Sequence, residues 1–89
     1  MQIEFTVQTW WENDQFIAHA RPLDVASTGP TPAAAKEAVN EAVGLFLRTA
    51  SEHGTLREVL EEAGYQVGPD ACQSPQWVGI ERGSAVVEG

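Results

Sequence analysis

Carboxylates stand where a small mixed chain could gather a divalent metal: Glu4 and Asp24 in extended stretches, with Glu37 or Glu41 on a helix. Two-metal hydrolysis needs several such groups converging within a few ångströms on the ions. Glu4, however, falls on the polar face of its strand, where charge is ordinary. There is no Asp-x-Asp pattern and no aspartate at the middle of the first strand. A metal-dependent nuclease is therefore the weakest of the functions this chain allows.

His19, His53 and Cys72 are the soft metal ligands, but they lie in distant segments with no Cys-x-x-Cys or closely spaced His pair, so no zinc site is expected. His53 sits beside the helix-ending Gly54, where a histidine favours the helix dipole. Cys72 has no nearby base in the sequence and reads as a passive thiol. The loop "STGPT" before the alanine-rich segment could in principle cradle phosphate. It has one glycine and no lysine, and Pro30 and Pro32 remove two amide donors. Gly29 is expected to supply an unusual turn and Thr31 to cap the helix. The sequence thus predicts no catalytic residue, no metal and no cofactor.

The elements that position these residues are set by periodicity. "QIEFTVQTW" alternates, with Ile3, Phe5, Val7 and Thr9 on one face, which predicts a half-buried strand. Asn13-Asp14 suits a tight hairpin. "FIAHA" returns antiparallel with Phe16, Ala18 and Ala20 on one face, and "VAST" is a third short strand. Thr31 and Pro32 open a helix whose apolar stripe is Ala35, Ala38, Val39, Ala42, Val43 and Phe46. Gly44 inside it suggests close packing on the sheet, and Gly54 ends it. "TLRE" reads as a capping box between Thr55 and Glu58. It opens a second helix with Leu56, Val59, Leu60 and Ala63 inward, closed by Gly64. "YQV" starts a strand, "GPDACQSP" is loop, and "WVGIERGSAVV" reads as a strand or a hairpin around Arg82-Gly83. The order strand, strand, strand, helix, helix, strand is an α+β fold with a small antiparallel sheet and helices packed on one face. It forms one domain over residues 1–89, with its core in 3–67 and a loop plus C-terminal strand or hairpin in 68–89.

At 89 residues the chain holds a single modest core, and such small domains often gain from oligomerisation. Five Lys+Arg against 13 Asp+Glu give a formal charge of -8. That charge opposes nucleic acid binding by this chain alone and suits a basic partner or simple solubility. One cysteine allows no internal disulfide and fits a reducing compartment. No leader opens the chain and no apolar run is long enough to span a membrane. A soluble, cytoplasmic protein is the expectation.

The layout over roughly residues 3–67 resembles the HicB-like antitoxins. The matching residues include Phe16-Ile17-Ala18, Gly29, Thr31, Ala35, Ala38, Asn40, Glu41 and Ala42, and "EHGTLREVLEEAGYQV" is similar to the segment after the helix in some short members. The resemblance implies a partial RNase H-like fold. It also implies a partner: a HicA-type toxin, a small basic RNA-cleaving protein whose catalytic site the antitoxin binds and blocks. Two departures stand out. The hairpin tip carries Asp14-Gln15 in place of glycine, and strand two ends in "RPLD". Many members also carry a C-terminal DNA-binding domain, whereas too little chain lies beyond Val67 for a helix-turn-helix, so the operator-binding role is expected to be missing here.

Complementary charge favours encounter of an acidic protein with a basic one. The candidate toxin contacts are Glu58, Glu61 and Glu62 on the second helix, and Glu12 and Asp14 at the hairpin tip; a plain solvated face is the alternative for both. Trp10 and Trp11 are adjacent on a strand and must face opposite ways, so one is expected to be buried. The other, with Thr6 and Ile17, would form a self-association face unless the C-terminal strand or Trp77 covers it. Family members are often dimers or tetramers, which the resemblance extends to this chain as a homo-oligomer. The expected function is a non-enzymatic protein-binding module that blocks a HicA-type toxin. An orphan self-associating module is the alternative, and a metal nuclease the weaker one.

Overall fold

The computed structural model describes every residue from Met1 to Gly89. A hairpin opens the fold. Strand β1 (Thr6–Glu12) pairs antiparallel with β2 (Gln15–Arg21), and Glu12 faces Gln15 across the two-residue turn. Asn13 and Asp14 take φ 53° and 60°, the left-handed pair that matches the twist of the strands it joins. Strand β3 (Val25–Gly29) completes a sheet of order β1-β2-β3, antiparallel throughout.

Register divides the sheet into two faces. Val7, Thr9 and Trp11 share one with Phe16, Ala18 and Ala20 and with Val25, Ser27 and Gly29. Ala18 and Ala20, both 0% exposed, give the central strand a flat surface on which a helix backbone can lie close. Helix α1 (Pro32–Glu52) occupies it, leaning on β2 and β3 and reaching β1 least. Its start is as the sequence predicts: the Thr31 Oγ1 accepts the Ala34 amide at 3.0 Å and proline stands in the first turn.

The inward stripe of α1 differs from the predicted one at its second half. Ala35, Val39, Val43 and Ala50 are buried, and Leu47 packs on the core, while Phe46 is 37% exposed. From Val43 the inward line runs on through residues four and seven later, so Leu47 and Ala50 take the place assigned to Phe46. Gly44 is also corrected: a Cβ there would meet nothing within 4 Å, so it faces open space and not the sheet. Gly29 has no left-handed backbone angle. What it provides is room, because a Cβ would lie 2.6 Å from the Ala35 amide nitrogen.

Helix α2 (Leu56–Ala63) inserts Leu60, 0% exposed, and closes on the left-handed Gly64. The predicted capping box does not form. Thr55 Oγ1 instead donates to the Ala50 carbonyl at 3.3 Å, joining the Thr55 amide, which donates to the same oxygen at 2.9 Å. Strands β4 (Gln66–Val67) and β5 (Cys72–Gln73) make a separate two-stranded sheet, so the segment predicted as loop contains a strand. Residues 74–89 form no strand or hairpin, contrary to the sequence pattern. Their apolar residues pair with neither edge strand of the sheet. The core joins Ala18, Ala20 and Leu23 to Ala35, Val39 and Val43 of α1, Leu60 of α2 and Tyr65.

Candidate functional site

Helix α2 turns its acids outward because its inward line is taken by Leu56, Leu60 and Ala63. Glu58, Glu61 and Glu62 are all exposed. Glu61 is engaged: Arg57 Nε donates to its Oε1 at 2.9 Å, the i,i+4 pairing that helical spacing permits. Glu58 and Glu62, four residues apart on one line, carry no ion pair. The second predicted contact, Glu12 and Asp14, is exposed at the hairpin tip, where Trp10 Nε1 donates to Glu12 Oε1 at 3.2 Å. The two acidic places belong to different elements, the helix and the β1-β2 turn.

Trp10 and Trp11 do face opposite ways, but neither is buried, contrary to the sequence expectation: they are 37% and 56% exposed. Trp11 lies on the helix side of the sheet and packs edge-on against Phe16, ring centroids 4.8 Å apart. Trp10 lies on the other face opposite Ile17 and edge-on to His19 at 6.3 Å. That second face is formed by Thr6, Gln8, Trp10, Ile17, His19 and Arg21, and neither helix packs on it. Trp77 does not cover either tryptophan; its ring stands 5.8 Å from the Arg21 guanidinium carbon, a cation–π contact at the sheet's end.

The groups considered for chemistry are dispersed. No cluster of three or more His, Cys, Asp or Glu side chains is close enough to hold a metal. His19 Nε2 lies 2.5 Å from Asp24 Oδ1, an orientation helped by the left-handed Asp24 (φ 61°), and this pair crosses the β2-β3 turn away from Glu4. Nothing in the residue pattern signals it, since a five-residue separation acquires meaning only once the turn is fixed. Glu4 instead borders an open, polar depression of about 510 Å³ with Asp70 and Cys72. Burial pushes the Cys72 thiol above its ordinary range, which keeps it protonated and weakly nucleophilic at neutral pH. Burial, reinforced by Cys72, likewise raises the Tyr65 hydroxyl. No helix is long and apolar enough to cross a membrane.

Neither a protein-family profile, nor a curated protein, nor a solved structure matches this chain.

Proposed function

We propose that the protein is a non-enzymatic binding module of the HicB-like antitoxin type, acting in the cytoplasm by capping a basic HicA-type ribonuclease. The observation that carries this reading is the outer line of α2, where Glu58 and Glu62 are exposed and unpaired on a helix anchored by the buried Leu60. Acids held on a rigid element meet basic side chains with little ordering cost, and the overall charge of -8 steers a basic protein toward them. The hairpin-tip acids Glu12 and Asp14 serve as a secondary contact.

Titration of the full chain with a basic HicA-type toxin tests this reading. Glu58→Lys with Glu62→Lys should weaken binding at least tenfold, and binding to the native chain should fall as salt rises. An affinity indifferent to both changes removes α2 as the contact, and no binding to such toxins removes the reading.

A self-associating module without a toxin is the second reading, favoured by the exposure of Trp10 opposite Ile17 on one face of the sheet and of Trp11 on the other. It is separated from the first by capture from native lysate: recovery of the chain alone supports it, and recovery of a basic ribonuclease opposes it.

A further inference from the structure

Strand β1 is an open edge. Its only strand neighbour is β2, and no helix other than α1 touches it. Soluble proteins usually guard such an edge with charge, proline or a bulge. The one charge on β1 is Glu12 at its turn end; from Thr6 to Trp11 the sequence is TVQTWW, with no charge, no proline and an unbroken register against β2. β-Branched and aromatic residues dominate it, the composition that suits a paired strand.

The same chain carries an uncovered strand-like segment. Beyond Gln73 there is no helix or strand, yet Val78 is 101% exposed, Ile80 71%, Val86 92% and Val87 91%. Val78 and Ile80 alternate with Gly79 and Glu81, the two-residue period of a strand. The segment is tethered where Trp77 meets Arg21, and Arg21 is paired with Thr6, the first residue of β1. Beyond that tether it projects outward instead of folding back. The radius of gyration is 15.4 Å, against about 12 Å for a compact domain of this length. The long axis reaches 48 Å.

We infer that residues 77–87 add as an extra strand to the β1 edge of a second copy of this chain, and that two copies exchange these segments reciprocally. The occupant is a second copy because this chain's own sheet leaves the segment bare, while it supplies both the open edge and the apolar strand to fill it. Charge points the same way. Two molecules of charge -8 repel, and TVQTWW and the Gly83–Val87 run are among the uncharged stretches of the chain, with Glu81 and Arg82 offsetting each other between them. Contact between copies is therefore least opposed there. Main-chain hydrogen bonds would give such an exchange its affinity, and Val78 and Ile80 its register. This inference stands on the edge and the segment alone and does not depend on toxin binding.

Sedimentation of the full chain at micromolar concentration tests it, with crosslinking as an independent readout. The expected result is a dimer that becomes monomeric when the chain is cut after Gln76 or carries Val78→Asp with Ile80→Asp, the circular dichroism of the folded part being retained. In a Cys72→Ser background, one chain carries a single cysteine at Thr6, Gln8 or Thr9, and another carries one at Val78 or Ile80. When mixed, the two should form a mixed disulfide between chains. A full chain that stays monomeric, a dimer that survives removal of the segment, or crosslinks that form only when both cysteines share one polypeptide would each overturn it.

Discussion

The Tyr65 hydroxyl donates a hydrogen bond to the backbone carbonyl of Glu4, joining positions 61 residues apart. Tyr65 is 4% exposed and belongs to the core cluster, on which Ile3 and Phe5 also pack. The bond therefore ties the chain leading into β1 to the segment after α2. Tyr65→Phe keeps the ring and removes the bond, and the freed carbonyl is near enough to the surface to find water. The expected cost is about 1 kcal/mol, read as a lowering of the thermal midpoint by about 4–8 °C for a domain of this size. An unchanged midpoint would show that the ring alone holds the two segments together.

Alkaline pH should act on the same corner. Burial raises the Tyr65 hydroxyl, with Cys72 adding to the effect, and burial also raises the Cys72 thiol. A raised folded value means that the folded chain holds these protons more tightly than the unfolded one. Their contribution is then whole below the unfolded values and is lost as pH climbs through the folded ones. Stability should be level through neutrality and decline above about pH 9, the ordinary range of these groups. Denaturant midpoints measured across that range check it. Tyr65→Phe combined with Cys72→Ser should flatten the decline, and a decline of unchanged steepness in the double variant would place its origin elsewhere.

Gly29 and Thr31 fix the entry into α1 by different means. A Cβ at Gly29 would meet the Ala35 nitrogen at 2.6 Å and the Ala34 carbonyl carbon at 2.8 Å, both backbone atoms that cannot step aside cheaply. Gly29→Ala must shift the helix start from the strand, at a cost of about 1–3 kcal/mol. Thr31→Ala loses only the bond to the Ala34 amide, about 1 kcal/mol. Thr31→Ser should restore most of that loss, whereas Gly29→Ser should be no milder than Gly29→Ala. Urea midpoints of the four variants separate crowding from capping.

The parts of this fold that were legible in the sequence are those governed by near neighbours. The Asn13-Asp14 turn, the Ala18 and Ala20 face and the Thr31 cap each depend on a few adjacent residues and stand where the pattern puts them. Local pattern is insufficient where two local solutions compete and tertiary packing decides. Phe46 and Leu47 both extend an apolar line from Val43, and packing takes Leu47 inward. Thr55 had a plausible partner in Glu58, but the end of α1 offered its hydroxyl the Ala50 carbonyl. The short alternation of Val78–Glu81 is present without a strand, because alternation alone does not secure a partner for the ladder. For the candidate contacts, exposure of the acids was legible, but the pairing that withdraws Glu61 required the helix to place Arg57 beside it.

The hairpin turn offers a change that should raise stability. Asn13 and Asp14 both hold left-handed angles, φ 53° and 60°, and an L-residue carrying a side chain is disfavoured there. Asn-Gly is the pair best suited to this turn, so Asp14→Gly should stabilise the domain by about 0.5–1 kcal/mol, the relief of a left-handed side chain less the added freedom of glycine in the unfolded chain. The thermal midpoint should rise by a few degrees, and a fall would mean that the Asp14 side chain supports the turn by itself. The same variant weighs the two acidic surfaces, because it deletes a tip charge while leaving Glu58 and Glu62 in place. With α2 as the principal contact, affinity for a HicA-type toxin should change by less than about twofold, since a single exposed charge at the rim contributes little. A loss of tenfold or more in a chain that has become more stable cannot come from unfolding, and it would move the principal contact from α2 to the hairpin tip.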